Sequence, residues 1–117
     1  MMFANTMIDE AIWNFRSASK KSKAPIWRAL EEELSRSRAR RREINIGRLA
    51  EVTKAGEVVV IPGKVLGTGG IGHKLTVSAF SLSETAAKKI IGAGGEVVTF
   101  ADLITKNPDG NGVRIIG

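Results

Sequence analysis

Val58-Val59-Val60-Ile61-Pro62-Gly63-Lys64-Val65-Leu66 opens a change of texture at Glu57, and the fold class turns on it. Four consecutive β-branched residues read as a short buried strand. Pro62-Gly63 is expected to turn it, with Lys64-Val65-Leu66 following. Gly67-Thr68-Gly69-Gly70-Ile71-Gly72 comes next, a mobile loop by composition. Leu75, Val77 and Ala79 then alternate with Thr76, Ser78 and Phe80, as in a strand. Ser83 is placed to cap a helix whose apolar stripe is Ala86, Ala87, Ile90 and Ile91, with Lys88 and Lys89 outside. Gly92, Gly94 and Gly95 stop that helix. Val97-Val98 reads as another short strand. Thr99 and Asp102 form a Thr-x-x-acid pattern at the start of a short helix. Asn107-Pro108-Asp109-Gly110 breaks it, and Val113–Ile116 is a final apolar strand.

Upstream of Glu57 the pattern is helical. Ile8, Ala11, Ile12 and Phe15 share one stripe, with Asn5 or Thr6 able to cap its start. Ser17–Lys23 is small, polar and basic, and reads as a linker. Pro25 suits the first turn of a second helix, with Ile26, Trp27, Leu30 and Leu34 as its buried stripe. That pattern is lost near Ser35. Asn45 is expected to cap a short helix carrying Ile46, Leu49 and Ala50, which Gly56 ends. A helical, basic half (1–56) thus precedes a glycine-rich strand–helix half (57–117). The class is α/β, and a chain of 117 residues is expected to form a single domain.

Between the halves lies Arg36-Ser37-Arg38-Ala39-Arg40-Arg41-Arg42, five arginines in seven positions. Residues 16–48 hold eleven of the eighteen Lys and Arg but only four acids, a local charge of +7 against +6 for the chain. Helix faces usually mix signs, whereas this run is one-signed. Guanidinium groups at this density repel one another, and a nucleic-acid backbone is the commonest anion array that offsets them. Lys20, Lys21, Lys23, Arg28 and Arg48 widen the basic stretch.

The composition excludes several chemistries. There is no cysteine, so disulfides and thiolate metal sites are out, and one histidine cannot make an all-histidine cluster. No apolar run approaches the ~18 residues of a membrane span, and the N-terminus lacks the form of a secretory signal. The expectation is a soluble cytoplasmic protein without a cofactor.

Gly67, Gly69 and Gly72 satisfy G-x-G-x-x-G, but a dinucleotide site needs that turn to open a helix. Here it leads into a strand. The phosphate-binding lysine motif also fails, with Leu75 where a hydroxyl should bind magnesium. Two readings of the loop remain open: a flexible link between strands, or a segment whose backbone and Lys74 lie against RNA phosphates. His73, flanked by glycines, reads as a surface contact rather than a general base. The carboxylates are scattered, and at least one of Glu31, Glu32 and Glu33 is expected to offset a nearby cation. Trp27 belongs to the core. Trp13 is expected at the core's edge, the alternative being a stacking surface flanked by Arg16 and Lys20.

Ala24-Pro25-Ile26-Trp27, Glu33-Leu34-Ser35-Arg36 through Gly47-Arg48-Leu49, Val58 through Gly67, Thr76-Val77-Ser78-Ala79-Phe80-Ser81 and Gly112-Val113-Arg114-Ile115-Ile116-Gly117 carry a resemblance. From about residue 24 onward the chain resembles the 18e family of archaeal and eukaryotic large-subunit ribosomal proteins, in its archaeal form. The resemblance implies an irregular β-β-α superhelical core of short strands and helices, shared with the bacterial-type fifteenth large-subunit protein. It also implies a structural, non-enzymatic role on the large subunit, with 23S-type rRNA and neighbouring ribosomal proteins as partners. RNA-facing residues implied by the matched motifs are Arg36, Arg38, Arg40, Arg41, Asn45, Arg48, Lys64 and Arg114. Charge and loop composition add Lys20, Lys21, Lys23, Arg28, Arg42, His73 and Lys74. Two features depart from the family pattern: Arg42 stands where a small residue is expected, and residues 1–15 are acidic and apolar. A free-standing RNA- or DNA-binding regulator would use the same basic face. A nucleotide-using enzyme would have to be built on the glycine loop.

Overall fold

The computed structural model describes residues 2–3, 8–22, 24–35, 43–110 and 112–116. In chain order these form β1 (Met2–Phe3), α1 (Ile8–Ser22), α2 (Pro25–Ser35), β2 (Glu43–Asn45), α3 (Ile46–Val52), β3 (Val58–Leu66), β4 (Thr76–Ser83), α4 (Glu84–Gly92), β5 (Glu96–Val97), α5 (Phe100–Lys106) and β6 (Val113–Ile115). The expected caps at Asn5 or Thr6 fall outside the described residues.

The valine run forms the centre of the sheet. β3 and β4 lie side by side and parallel, Val58 opposite Thr76 and Ile61 opposite Ala79. Each long strand has its outer edge covered in two pieces. β6 pairs with Val58–Val60 and β2 with Lys64–Leu66, both parallel. On the far side β5 pairs with the start of β4 in parallel, and β1 with its end in antiparallel. The α/β expectation holds, but the central strands are nine and eight residues long rather than short.

Pro62-Gly63 does not turn the chain. β3 runs straight through it, and the register with β4 slips between Ile61 and Lys64. A bulge absorbs the proline, and residues 61–63 fall in the gap between the β6 and β2 pairings, where the missing amide breaks no registered ladder.

Alternation along β3 feeds two cores. Val59, Ile61 and Val65 face Ile46, Leu49, Ala86, Ala87 and Ile90, so α3 and α4 cover that side. Val60 faces Phe15, Trp27, Leu30, Leu34, Phe100 and Leu103, so α1, α2 and α5 cover the other. Phe15 sits between Trp27 and Phe100, with ring centroids 5.8 and 4.8 Å away. The Trp27 indole donates to the Pro108 carbonyl at 2.8 Å, which fixes α2 to the turn after α5. Ser83 and Thr99 cap their helices as expected, their hydroxyls accepting from the Ala86 and Asp102 amides.

Three other expectations are corrected. Ser17–Ser22 is helical rather than a linker: Ala18 continues the buried stripe of Ala11 and Phe15, and the Ser22 hydroxyl donates to the Ala18 carbonyl. α3 ends at Val52 with Thr53 as its C-cap, and Gly56 belongs to the turn beyond. Trp13 is not at the core's edge; it is 65% exposed.

The glycine loop is a further correction. It joins two parallel neighbours without a helix, using only residues 67–75. Because Thr76 pairs with Val58, the chain must travel back the length of β3, about 25 Å at the usual strand rise. Ten peptide links span about 33–36 Å at full stretch, so the loop uses roughly three-quarters of its reach. The loop is tied down at several points rather than hanging free. It also crosses other backbone closely. A Cβ on Gly69, where φ is +96°, would lie 2.6 Å from the Gly47 Cα, and one on Gly67 would lie 2.6 Å from the Thr85 Cγ2.

Gly69→Ala should therefore cost about 2–4 kcal/mol, combining a backbone conformation that L-residues avoid with a main-chain collision. Gly70→Ala, whose Cβ meets nothing within 4 Å, should change stability by about 0.5 kcal/mol or less. Urea unfolding of both variants checks this. Equal effects would mean the loop is slack.

Candidate nucleic-acid interface

The arginine run lies outside the described residues, as does Lys23, but the run's exit is fixed. Glu43 follows it directly and begins β2, opposite Lys64 on β3. Lys64 is the one exposed residue of β3, on a strand otherwise buried or half-buried. The charged stretch therefore enters the fold at an edge strand beside another lysine.

From β2 the chain passes straight into α3. Ile46 and Leu49 are buried, which leaves Asn45 and Arg48 exposed. Asn45 occupies the N-cap position, but its side chain makes no capping hydrogen bond. Arg48 meets Glu51 at 3.3 Å, an exposed pair of the kind that contributes little and yields readily to a better anion.

The glycine loop runs alongside α3 and is tied to it at both ends. At the first turn the Gly47 amide donates to the Thr68 carbonyl at 3.0 Å. Beyond the last turn, His73 Nε2 lies 3.0 Å from Thr53 Oγ1, and that hydroxyl is 2.7 Å from the Leu49 carbonyl. A hydroxyl has one proton to give. With it directed to Leu49, His73 must be the donor through Nε2, so its partner position is structural rather than catalytic. Lys74 follows, exposed, its carbonyl accepting from the Gly56 amide. Asn45 at the N-cap, Arg48, His73 and Lys74 thus form a rim along α3 and the loop, whereas Lys64, alternating with buried Val65 on β3, projects from the other face of the sheet.

The remaining cations sit elsewhere. Lys20 and Lys21 are exposed in the last turn of α1, and Arg28 is exposed on α2, paired with Glu32 at 3.3 Å. Arg16 bonds Glu31 at 2.8 Å, which bears out the expectation that an acid of the 31–33 run offsets a cation. Arg16, Lys20 and Arg28 border a shallow groove between α1 and α2. Those helices cover the opposite face of the sheet from α3. Sequence proximity gathers all these cations into one window, whereas the fold divides the described ones between two faces.

Arg114 has partners within the chain. Its Nη1 donates to the Val52 carbonyl at 2.8 Å and lies 3.3 Å from the Glu57 carboxylate. The hydrogen bond from the Lys54 amide holds the Glu57 carboxyl below its ordinary value near 4.5; desolvation pushes it part of the way back, and Arg114 adds to the lowering. This cluster fastens β6 to the end of α3. Sequence reasoning missed it, as it missed Lys89, whose ammonium donates to the carbonyls of both Gly67 and Gly69. Partners this distant leave no local signal. Lys89 reads simply as one of two lysines flanking an apolar stripe.

A family model described as ribosomal protein 60S L18 and 50S L18e matches residues 11–117. The chain belongs to that family. It is 45% identical over 101 residues to the large ribosomal subunit protein eL18 of Pyrobaculum aerophilum, covering 86% of this chain and 83% of the relative. To the eL18 of Methanopyrus kandleri it is 41% identical over 117 residues, covering 96% and 92%. To that of Methanococcus maripaludis it is 37% identical over 116 residues, covering 99% and 97%. The family is one of ribosomal proteins, not enzymes. The match begins at residue 11, so all of α1 but its first three residues lies within the family pattern and not only the part from residue 24 onward.

The depressed Glu57 carboxyl sets a pH signature. Its stabilising contribution should be complete above about pH 4.5 and fade as the pH falls through the lower folded-state value. Glu57→Gln should therefore melt below the wild type at neutral pH, with the gap closing in acid. A gap that stays constant down to pH 2 would show the carboxylate charge to be irrelevant.

Proposed function

We propose that this protein is a structural constituent of the large subunit of cytoplasmic ribosomes, acting as a single folded unit that binds 23S-type rRNA and stabilises its tertiary fold. The observation that carries this reading is the rim of Asn45, Arg48, His73 and Lys74 along α3 and the loop, with the five-arginine run leading directly in sequence into β2, where Glu43 lies opposite Lys64. Membership of a ribosomal protein family supplies the setting. Folded RNA draws phosphates together, and their mutual repulsion opposes compaction. Arginines between them relieve it, each with a planar fork able to bridge two phosphates. Main-chain and side-chain contacts of this kind position the protein, while RNA shape selects the site. The doubly clad sheet holds the rim rigid, so the rim loses little conformational freedom on binding. Neighbouring ribosomal proteins complete the surroundings. The reaction class is none: the role is binding, without cofactor, small-molecule substrate or membrane.

Changing Arg36, Arg38, Arg40, Arg41 and Arg42 together to Gln should leave thermal stability nearly unchanged and weaken binding to large-subunit rRNA fragments severely. The slope of log affinity against log salt should become shallower by about two to four units, at roughly 0.7–0.9 per phosphate contact. An unchanged slope would make the run a solvated face, and loss of folding would make it structural.

A further inference from the structure

Three features of the molecule are not absorbed by the rim. One is the exposed Trp13, whose helix carries exposed Glu10 as well as Lys20 and Lys21, a mixed surface that selects no class of partner. Another is the opening between β6 and β2, walled by Ile44, Ile61, Ile115 and Ile116, where nothing identifies an occupant. The third, the back of the glycine loop, carries an argument through.

Lys89 reaches from α4 and donates to the Gly67 and Gly69 carbonyls. Each carbonyl shares a planar peptide with the next residue's amide, and in a trans peptide the N–H points opposite to the C=O. The described residues contain no cis bond. The Thr68 and Gly70 N–H groups therefore both point away from the lysine. Neither donates to any partner among the described residues. Thr68 and Gly70 are exposed, and a Cβ built on Gly70 meets only open space. Between them Gly69 takes φ +96°, the glycine-type backbone that lets alternate amides converge.

We propose that the Thr68 and Gly70 amides form a two-donor seat for a backbone phosphate of the bound rRNA, and that Lys89 is the positioning residue that holds it from behind. The proposal rests on the rRNA reading above and names a site within it. An ammonium on the carbonyl end of each peptide withdraws electron density along it and strengthens the donor at the other end. The same charge lies behind the seat and attracts the anion without touching it. The Gly47 amide, bonding the Thr68 carbonyl, gives the loop a second anchor. Lys74, exposed and four residues beyond Gly70, supplies a mobile cation at the same rim.

The test is hydrogen exchange of individual amides, trapped in the complex and read by NMR after the RNA is removed. The probe is protein-free large-subunit rRNA bound to the full chain. In the free protein the Thr68 and Gly70 amides should exchange fast. On rRNA they should become protected by tenfold or more relative to Ile71 and Gly72. Lys89→Met should abolish that protection and weaken binding about tenfold, the usual effect of losing a hydrogen bond to a charged group. Lys89→Arg, still able to bridge two carbonyls, should restore both. If rRNA binds the wild type while Thr68 and Gly70 stay unprotected, or are no more protected than Ile71 and Gly72, the seat does not exist. Full protection in Lys89→Met would remove the lysine from the proposal. Failure of the wild type to bind rRNA at all would instead overturn the ribosomal reading, so the two failures are distinguishable.

Discussion

Two parallel strands lie side by side and are joined by nine residues. That constraint organises the rest of the molecule. A parallel connection usually takes a dozen residues or more and includes a helix. Here the return path is short, so it stays close to the protein surface and contacts what it crosses. It crosses α3, which is why Gly47 and Gly69 meet backbone to backbone. It passes α4, which supplies Lys89 to its carbonyls. His73 and Thr53 then tie its far end to the end of α3. A loop that composition marks as loose is held at several points, and the basic rim inherits that rigidity.

Much of the fold was legible because it follows from local chemistry. Ser83 and Thr99 cap helices because short hydroxyl side chains reach the free amides of a first turn. Trp27, Leu30 and Leu34 recur at helical spacing and are buried together. Where the reading failed, a tertiary constraint overrode a local signal. Pro62-Gly63 signals a turn in isolation, yet the gap between β6 and β2 accommodates a proline within the strand. The polar residues of 17–22 suggest a linker, but one alanine per turn is enough apolar surface for a helix end packed on α2. β1 and β2, of two and three residues, are too short to carry any periodicity.

The candidate site was legible to a different degree. Charge density identified the arginine run without revealing where it joins the sheet. The other cations read as one basic window because they are close in sequence. The fold sends Lys20, Lys21 and Arg28 to the face covered by α1 and α2, and Arg48 to the face covered by α3. Charge patterning reports how many cations a segment has, not which way the intervening chain turns. Arg114 and Glu57 show the same limit, since residues 57 positions apart pair only because β6 lies beside β3.

Crosslinking of protein to RNA on purified large subunits, mapped residue by residue, tests the central claim most directly. The account predicts crosslinks concentrated on residues 36–48, Lys64 and the 68–74 loop, with the surface of α5 largely free of them. Crosslinks confined to α1, α2 and α5, with none on β2, α3 or the loop, would contradict it.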